Sequence, residues 1–297
     1  CTGSYGAIPP DRLIHIDINS GAIGANHKTP IGIHADSRDA VPALAKVLIG
    51  STDARDGSAV MQALVKYKAA YREAWLSHDS KGRVNPCRFF EELRLQLRDD
   101  AIVVSDDGNH TFLTAELMQI NKGGDYLSPT DFNCMGYCVP ATIATKMALP
   151  ERQVVGIVGD GAFLMTGLEA VSAGTNDIGA VWFVFNDGEL AQIAQAQEMP
   201  YQRTACTNIG KLNYEAFAAA VCTEYVAIEK DADLREGIAK ALAASAENRA
   251  VLVNVHIDYS KKTQFTIGTV QTNLKRFDTK NKLRIVGRAL KRKIFGS

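Results

Sequence analysis

The sequence predicts an α/β fold, a doubly wound and mainly parallel sheet with helices on both faces, preceded by a partial second α/β domain. Apolar runs rich in Val and Ile alternate along the chain with Ala-rich segments of helical periodicity. Such alternation is typical of parallel strands joined by right-handed helical crossovers. Polar, glycine-containing turns follow several runs, as in open sheets that bind a ligand at the carboxyl ends of their strands. The predicted strands are 101–104, 153–158, 180–185, 223–228 and 250–257, and the clearest predicted helices are 213–222 and 232–244.

The chain divides into four predicted segments. Residues 1–50 hold two short Ile-rich strands and a helix from Ser37 to Leu48, which predict the end of an α/β unit whose earlier half lies outside this sequence. The chain starts without Met, so we expect it to be a piece of a longer protein. Residues 51–85 are predicted to be a polar connector, with a helix from Ser58 to Trp75. The main domain is predicted at 86–260 and a basic C-terminal arm at 261–297.

Composition favours a cytoplasmic protein with a substantial core. The chain has 297 residues and 46% hydrophobic content, which is enough to bury a full domain. No apolar run is long enough to predict a membrane span. The six cysteines lack the paired spacing of metal sites, and no signal peptide is recognisable, so reduced thiols are expected.

Formal neutrality hides an asymmetry of charge. From Lys261 onward the chain has eleven Lys or Arg residues and a single acid, Asp278. A basic arm of this kind can bind a polyanion such as nucleic acid. The apolar residues of the arm, however, are spaced as an amphipathic stripe, which favours a helix that lies on an acidic surface of the same protein or of another subunit. The stripe consists of Leu283, Ile285, Val286, Leu290 and Ile294.

Two aspartates follow neighbouring predicted strands, each beside glycine. Asp160 lies between two glycines after 153–158, and Asp187 precedes a glycine after 180–185. Mg²⁺ prefers carboxylate and carbonyl oxygens together with the oxygens of a phosphate ligand. Asp160, Asp187 and the main-chain carbonyl of Glu189 therefore predict a magnesium diphosphate site, with a helix beginning around Phe163. Two ordinary turns with solvated aspartates are the alternative.

These turns resemble the signature of thiamine diphosphate-dependent enzymes, in which Gly-Asp-Gly is followed by a closing Asn-Asn pair. The resemblance implies that Asp160, Asp187 and the Glu189 carbonyl hold Mg²⁺. It also implies that the first turn lies against the cofactor diphosphate, with contacts from Gly159, Asp160, Gly161 and Ala162. The closing pair here is Asn-Asp. This departure keeps an oxygen ligand and adds a negative charge.

A second resemblance lies in residues 128–141, which contain the run Met-Gly-Tyr-Cys-Val-Pro-Ala. The segment is similar to one in acetolactate synthase-like enzymes, where a bulky apolar side chain bends the cofactor into its reactive form. Met135 occupies that catalytic position. The same resemblance implies that the Asn133 carbonyl and the Met135 amide bind the aminopyrimidine edge. The alternative is a methionine that only fills a core.

A third resemblance lies in the turn after 101–104. The family carries a Gly-Gln-His-type sequence there whose polar groups contact the diphosphate, and this chain has Gly-Asn-His at 108–110. Asn109 and His110 are therefore expected to bind the cofactor. A single histidine in a turn is otherwise an ordinary surface residue.

The resemblance implies a thiamine diphosphate- and Mg²⁺-dependent carboligase or decarboxylase that acts on 2-keto acids or related carbonyl compounds. Residues 1–50 resemble the end of the central domain of acetolactate synthase-like enzymes. In that family a glutamate of a pyrimidine-binding domain, usually from a neighbouring subunit of a homodimer or homotetramer, activates the cofactor. No segment here resembles that domain, so the isolated chain is expected to be inactive. FAD accompanies thiamine in some relatives but is not indicated here.

The sequence is also compatible with two other classes of function. A nucleotide-binding α/β oxidoreductase also has a parallel sheet with glycine turns, although no Gly-x-Gly-x-x-Gly run follows the first strand of a unit. A non-catalytic interaction module would use the basic arm and bind polyanions in a salt-sensitive manner. Neither nucleic acid nor a membrane is the expected partner.

Overall fold

The computed structural model describes residues 10–51, 56–130, 132–201, 203–284 and 287. Its strands are β1 (Ile14–Asp17), β2 (Ile31–His34), β3 (Ile102–Ser105), β4 (Tyr126–Leu127), β5 (Val154–Gly159), β6 (Val181–Asn186), β7 (Glu224–Ile228) and β8 (Val251–His256). Its α-helices are α1 (Ser37–Ser51), α2 (Ser58–Leu76), α3 (Pro86–Gln96), α4 (Asn109–Leu117), α5 (Cys138–Ala148), α6 (Asp160–Thr166), α7 (Ala170–Gly174), α8 (Ala191–Tyr201), α9 (Tyr214–Ala220), α10 (Leu234–Ala246) and α11 (Gln264–Arg276).

Six strands form one sheet in the order β4-β3-β5-β6-β8-β7, and every neighbouring pair is parallel. From β3 the chain first crosses to β4 at the edge, then returns over β3 to β5 on the other side. The direction of winding therefore reverses between β3 and β5. A crevice opens at such a reversal, outside the carboxyl ends of the two strands.

The central strands point their side chains alternately into two cores. On β6, Phe183 and Phe185 pack on the side of α3 and α10, whereas Trp182 and Val184 pack on the side of α5, α6 and α9. All four side chains are fully buried. Each large apolar side chain buried in this way contributes roughly 1.5–3 kcal/mol. Helices thus cover both faces, and the predicted doubly wound α/β fold is confirmed.

The five predicted strands are confirmed, and each begins one residue later than predicted. The two-residue strand β4 was not predicted, because so short an apolar segment carries no periodicity. The helix expected to begin around Phe163 begins at Asp160 instead. Gly159 has the extended backbone of an N-cap residue, with φ −76° and ψ 154°, so Asp160 already lies in the first helical turn.

Residues 10–51 contain a small parallel pair, β1 and β2, and the helix α1. Several of its apolar side chains face solvent, including Ile14 at 50% exposure and Ile49 at 84%. The predicted helix of the connector is present as α2. The domain boundaries themselves stay predictions.

The predicted basic arm begins with α11, followed by helical residues 279–284. Of the amphipathic stripe, only Leu283 belongs to the described residues, and it is exposed. Ile285, Val286, Leu290 and Ile294 lie outside them. No helix in the described ranges combines the length and the apolar character needed to cross a membrane.

Candidate cofactor site

The predicted turns meet at the carboxyl ends of β3, β5 and β6, which are neighbours in the sheet. The turn after β3 begins α4, and the turn after β5 begins α6. The turn after β6 leads into α8. The winding of the chain therefore brings three separate sequence motifs to the reversal between β3 and β5.

Asp160 links the first of the two aspartate turns to the second. One carboxylate oxygen, Oδ2, accepts hydrogen bonds from the amides of Gly188 at 2.8 Å and Asp187 at 3.3 Å. The other, Oδ1, accepts from the amide of Gly161 at 2.8 Å. Burial raises the pKa of Asp160, and these amides act against that shift by stabilising the charged form. The two aspartate turns are in direct contact, as predicted.

Asp187 carries the stronger electrostatic perturbation. Burial, followed by the nearby charge of Asp160, raises the pKa of Asp187 to about 7. The Glu189 amide donates to Asp187 Oδ1 at 3.4 Å, and the Glu189 side chain accepts from the Thr207 hydroxyl at 2.5 Å. A divalent cation would stabilise such a group of carboxylates, whose charge the nearby Arg83 offsets only in part.

Asn109 and His110, at the start of α4, are buried and incompletely paired. Asn109 Oδ1 and His110 Nε2 have no hydrogen-bond partner, although both side chains are at most 5% exposed. Burial lowers the pKa of His110 to about 3, so the ring is neutral at physiological pH. Buried polar atoms are normally paired. A ligand in the crevice is therefore the natural partner for both.

Glycine is required at the turns because neighbouring side chains approach the backbone closely. A Cβ on Gly159 would lie 2.9 Å from His110 Nδ1, and one on Gly161 would lie 2.4 Å from Leu190 Cδ2. Gly108 has a φ of +150° and would place a Cβ 2.6 Å from His110. The His110 and Leu190 side chains therefore occupy the space that a side chain at these three positions would need.

Met135 reaches the first aspartate turn from the opposite side. Its Cε lies 3.6 Å from the position that a Cβ on Gly161 would take. Met135 is half-buried, and it packs on the core formed by α5, α6 and α9. Cys138, at the start of α5, is buried in the same core, and burial raises its pKa, in agreement with a packing role.

Sequence reasoning missed Asp106, which organises the Met135 segment. Its carboxylate is fully buried and accepts hydrogen bonds from the amides of Gly136 at 2.9 Å and Cys138 at 2.7 Å. It lies directly after β3, in the motif that supplied Asn109 and His110. Its position between a predicted strand and a glycine was the available signal, but one sequence gives no hint of the distant amides that it binds.

A cavity of ≈ 110 Å³ lies among these groups. Its lining also includes Gln192, whose place after the second aspartate turn predicts either a pocket-facing or a solvated side chain, and Tyr259, which sequence reasoning did not single out. Tyr259 is 9% exposed and its hydroxyl has no hydrogen-bond partner. Eight of the ten predicted site residues line the cavity, namely Asn109, His110, Met135, Gly159, Asp160, Gly161, Ala162 and Glu189.

Asn133 and Asp187 are the two predicted residues outside the cavity lining. Asn133 is exposed and has a φ of +58°, so its carbonyl contact stays a prediction. Within the described part of the chain, no group of three or more His, Cys, Asp and Glu residues is arranged to hold a metal ion. The predicted magnesium set has two carboxylates and one carbonyl, and it too stays a prediction.

Fold and site together define a cofactor-binding domain of the open α/β class. The profile of the family described as "Thiamine pyrophosphate enzyme, C-terminal TPP binding domain" matches residues 106–255, just over half of the chain. The chain belongs to this family. The family assignment confirms the resemblance seen in the sequence and gives no support to the oxidoreductase alternative.

The chain is also similar to acetolactate synthases. It is 24% identical over 256 residues to the acetolactate synthase isozyme 1 large subunit of Escherichia coli, covering 86% of this chain and 44% of that protein. It is 26% identical over 251 residues to the large subunit of Lactococcus lactis, covering 84% and 42%. For an acetolactate synthase large subunit of Mycobacterium tuberculosis the identity is 28% over 207 residues, covering 67% and 33%. The chain thus spans less than half the length of these relatives.

Proposed function

We propose that the cavity binds thiamine diphosphate together with Mg²⁺, and that the chain is the diphosphate-binding part of an acetolactate synthase-like carboligase or decarboxylase. The observation that carries the proposal is the pair of orphaned buried atoms, Asn109 Oδ1 and His110 Nε2, which line a cavity beside Asp160. Leaving such atoms unpaired costs about 1–3 kcal/mol each. His110 Nε2 can donate a hydrogen bond to a phosphate oxygen. Asn109 Oδ1 only accepts, so Asn109 would donate through its NH₂ group after rotation of the amide.

The residues present fit a diphosphate. The Asn109 amide group and the His110 ring stand at the beginning of α4, where the helix dipole favours an anion and no side chain caps the free amides. Because the pKa of His110 is lowered to about 3, the ring acts as a neutral hydrogen-bond partner. Gly159 and Gly161 line the cavity beside these two residues.

Asp160 and Asp187 would hold Mg²⁺, with the Glu189 carbonyl as a third ligand. The direct contact of the two aspartate turns supports this role. The raised pKa values of both carboxyls support it too, because burial raises them and a divalent cation would stabilise the buried charged forms. Asp187 stands in place of the second asparagine of the family signature, and its charge would strengthen the attraction for the metal.

When bound, thiamine diphosphate would supply the nucleophilic carbon and the electron sink that such a reaction needs. The chain would position that chemistry. Met135 would lie against the cofactor rings, and the Met135 amide and Asn133 carbonyl would bind the aminopyrimidine edge. Leu190 and Ile193 add apolar side chains to the cavity lining. A 2-keto acid or similar carbonyl compound is the proposed substrate.

Calorimetric titration with thiamine diphosphate, with and without Mg²⁺, tests the proposal. We expect saturable binding that requires Mg²⁺, and D160N should weaken it at least about 10-fold because one charged oxygen ligand is lost. D125N is the matched control. Asp125 is also a buried carboxylate, but it pairs with Arg152 at 2.6 Å at the amino end of β4, away from the cavity. Binding that ignores Mg²⁺, or that falls equally in both variants, would contradict the proposal.

The isolated chain should not turn over a 2-keto acid, because its activating glutamate is proposed to come from a pyrimidine-binding domain of another subunit or segment. The same partner makes a homodimer or homotetramer the proposed assembly of the whole protein, which we place in the cytoplasm. Carbon dioxide release from pyruvate, measured with saturating cofactor and Mg²⁺, checks this prediction. Turnover at the rate of a complete enzyme would refute it.

A further inference from the structure

Asp106 is a buried carboxylate that is balanced by amides alone. It is fully buried, and no described ion pair includes it. Oδ1 accepts hydrogen bonds from the amides of Asp107 and Gly136, both at 2.9 Å, and Oδ2 accepts from the amide of Cys138 at 2.7 Å. Hydrogen bonds to a charged acceptor are about twice as strong as neutral ones. Asp106 therefore ties the turn after β3 firmly to the segment before α5.

The same carboxylate caps α5 from a distant part of the chain. Cys138 is the first residue of α5, and the preceding Tyr137 provides no side-chain cap. An N-terminal amide of a helix needs an acceptor, and a negative charge there also interacts favourably with the helix dipole. Asp106 supplies both the acceptor and the negative charge, although it lies 32 positions before Cys138 in the sequence.

Gly136 is consequently held by hydrogen bonds at both its amide and its carbonyl. Asp106 holds its amide, and the Thr166 hydroxyl donates to its carbonyl at 3.0 Å. Its φ of +89° is accessible mainly to glycine, which makes the turn specific. Met135 immediately precedes this fixed residue, and its Cε extends toward Gly161 in the cavity.

We infer that Asp106 is a positioning residue that sets where Met135 stands in the cavity, and hence how it meets the cofactor rings. The inference rests on the proposed function. It predicts different effects on the two parts of the cofactor. Asp106 fixes the Met135 segment, which is proposed to face the rings, whereas the groups proposed to face the diphosphate are on α4 and the aspartate turns. Loss of the Asp106 charge should weaken binding of the whole cofactor more than binding of its diphosphate part.

Hydrogen exchange of the ligand-free chain, followed by NMR, tests the anchoring itself. In D106N, Asn keeps an oxygen for the Asp107 and Gly136 amides but turns an NH₂ group toward the Cys138 amide. Exchange at Cys138 should accelerate on the order of 10-fold, while D125N leaves it within about 2-fold of wild type. Unchanged exchange at Cys138 in folded D106N would overturn the inference, and D106A, which removes both acceptors, should accelerate Gly136 as well.

Calorimetry with two probes tests the consequence for the cavity. With Mg²⁺ present, D106N should lose on the order of 10-fold in affinity for thiamine diphosphate but less than about 2-fold for pyrophosphate, and M135A should show the same pattern. Equal losses for both probes, or none for either, would overturn the positioning role. If the wild-type chain binds neither probe, the proposed function fails, whereas the exchange experiment still decides whether Asp106 anchors the segment.

Discussion

His110 illustrates how a buried polar residue links the site to stability. Its pKa is lowered to about 3 by burial, whereas an unfolded histidine titrates near 6.5. The neutral ring therefore contributes stability that is present above pH 6.5 and is lost as the pH falls toward 3. The loss should approach about 1.4 kcal/mol per pH unit.

Denaturant unfolding of wild type and H110Q between pH 4 and pH 8, without ligand, measures this contribution. We expect the difference in unfolding free energy between the two proteins to be constant above pH 7 and to shift in favour of H110Q below pH 6. A difference that stays constant down to pH 4 would show that the buried ring does not titrate as described.

Tyr259 provides a second test at the residue scale. Its hydroxyl is buried without a partner, and the residue belongs to the cavity lining. Burial, and then the charges of Asp187 and Asp160, keep its pKa well above the ordinary value, so the hydroxyl remains a donor. Y259F should stabilise the ligand-free chain by about 1 kcal/mol and weaken pyrophosphate binding several-fold, because the hydroxyl is satisfied only when the anion is bound.

Thermal unfolding measures the expected gain in stability of Y259F, and calorimetry measures its expected loss of affinity for pyrophosphate. Y214F is the control, since Tyr214 is buried on α9 but does not line the cavity. It should leave the affinity for pyrophosphate unchanged. A Y259F variant with wild-type affinity would remove Tyr259 from the site.

At the scale of elements, Asn85 joins the connector helix α2 to the main domain. Its side chain caps α3 by accepting from the amide of Cys87 at 2.9 Å, and its Nδ2 donates to the carbonyl of Trp75 at the end of α2. N85A should lower the unfolding free energy by about 2–3 kcal/mol. The comparable cap Asn213, which accepts from Ala216 alone, should cost about 1 kcal/mol when changed to Ala. Equal losses in the two variants, measured by urea unfolding, would show that the link to Trp75 contributes nothing.

The elements also show what one sequence can and cannot predict. Strands β5 and β6 are continuous apolar runs followed by Asp-Gly turns, so local composition was enough to find them and the aspartates after them. The role of Asp106 could not be predicted, because its partners lie 30 and 32 positions away and use backbone amides that no sequence pattern marks. Tyr259 was missed for a related reason, since only the folded sheet brings the end of β8 beside the turn after β6.

At the scale of the whole molecule, the small unit at 10–51 differs from the main sheet in its burial. A two-stranded sheet is marginally stable on its own. The side chains of β1 and β2 are half-buried or exposed, whereas every residue of β5 is buried. We expect amides in 14–34 to exchange with deuterium within minutes, while those in 154–159 remain protected for hours. Mass spectrometry of proteolytic peptides checks this difference, and equal protection of both regions would contradict it.

The cavity lining draws on stretches that stand far apart in the primary structure, from Asp107 to Tyr259. A small molecule that contacts several of these stretches stabilises the whole folded sheet, because it binds the native chain and does not bind the denatured chain. A hundredfold excess over the dissociation constant would add about 2.7 kcal/mol. Differential scanning fluorimetry against a panel of phosphorylated metabolites would therefore identify the natural ligand by the rise in melting temperature, before any reaction is assayed.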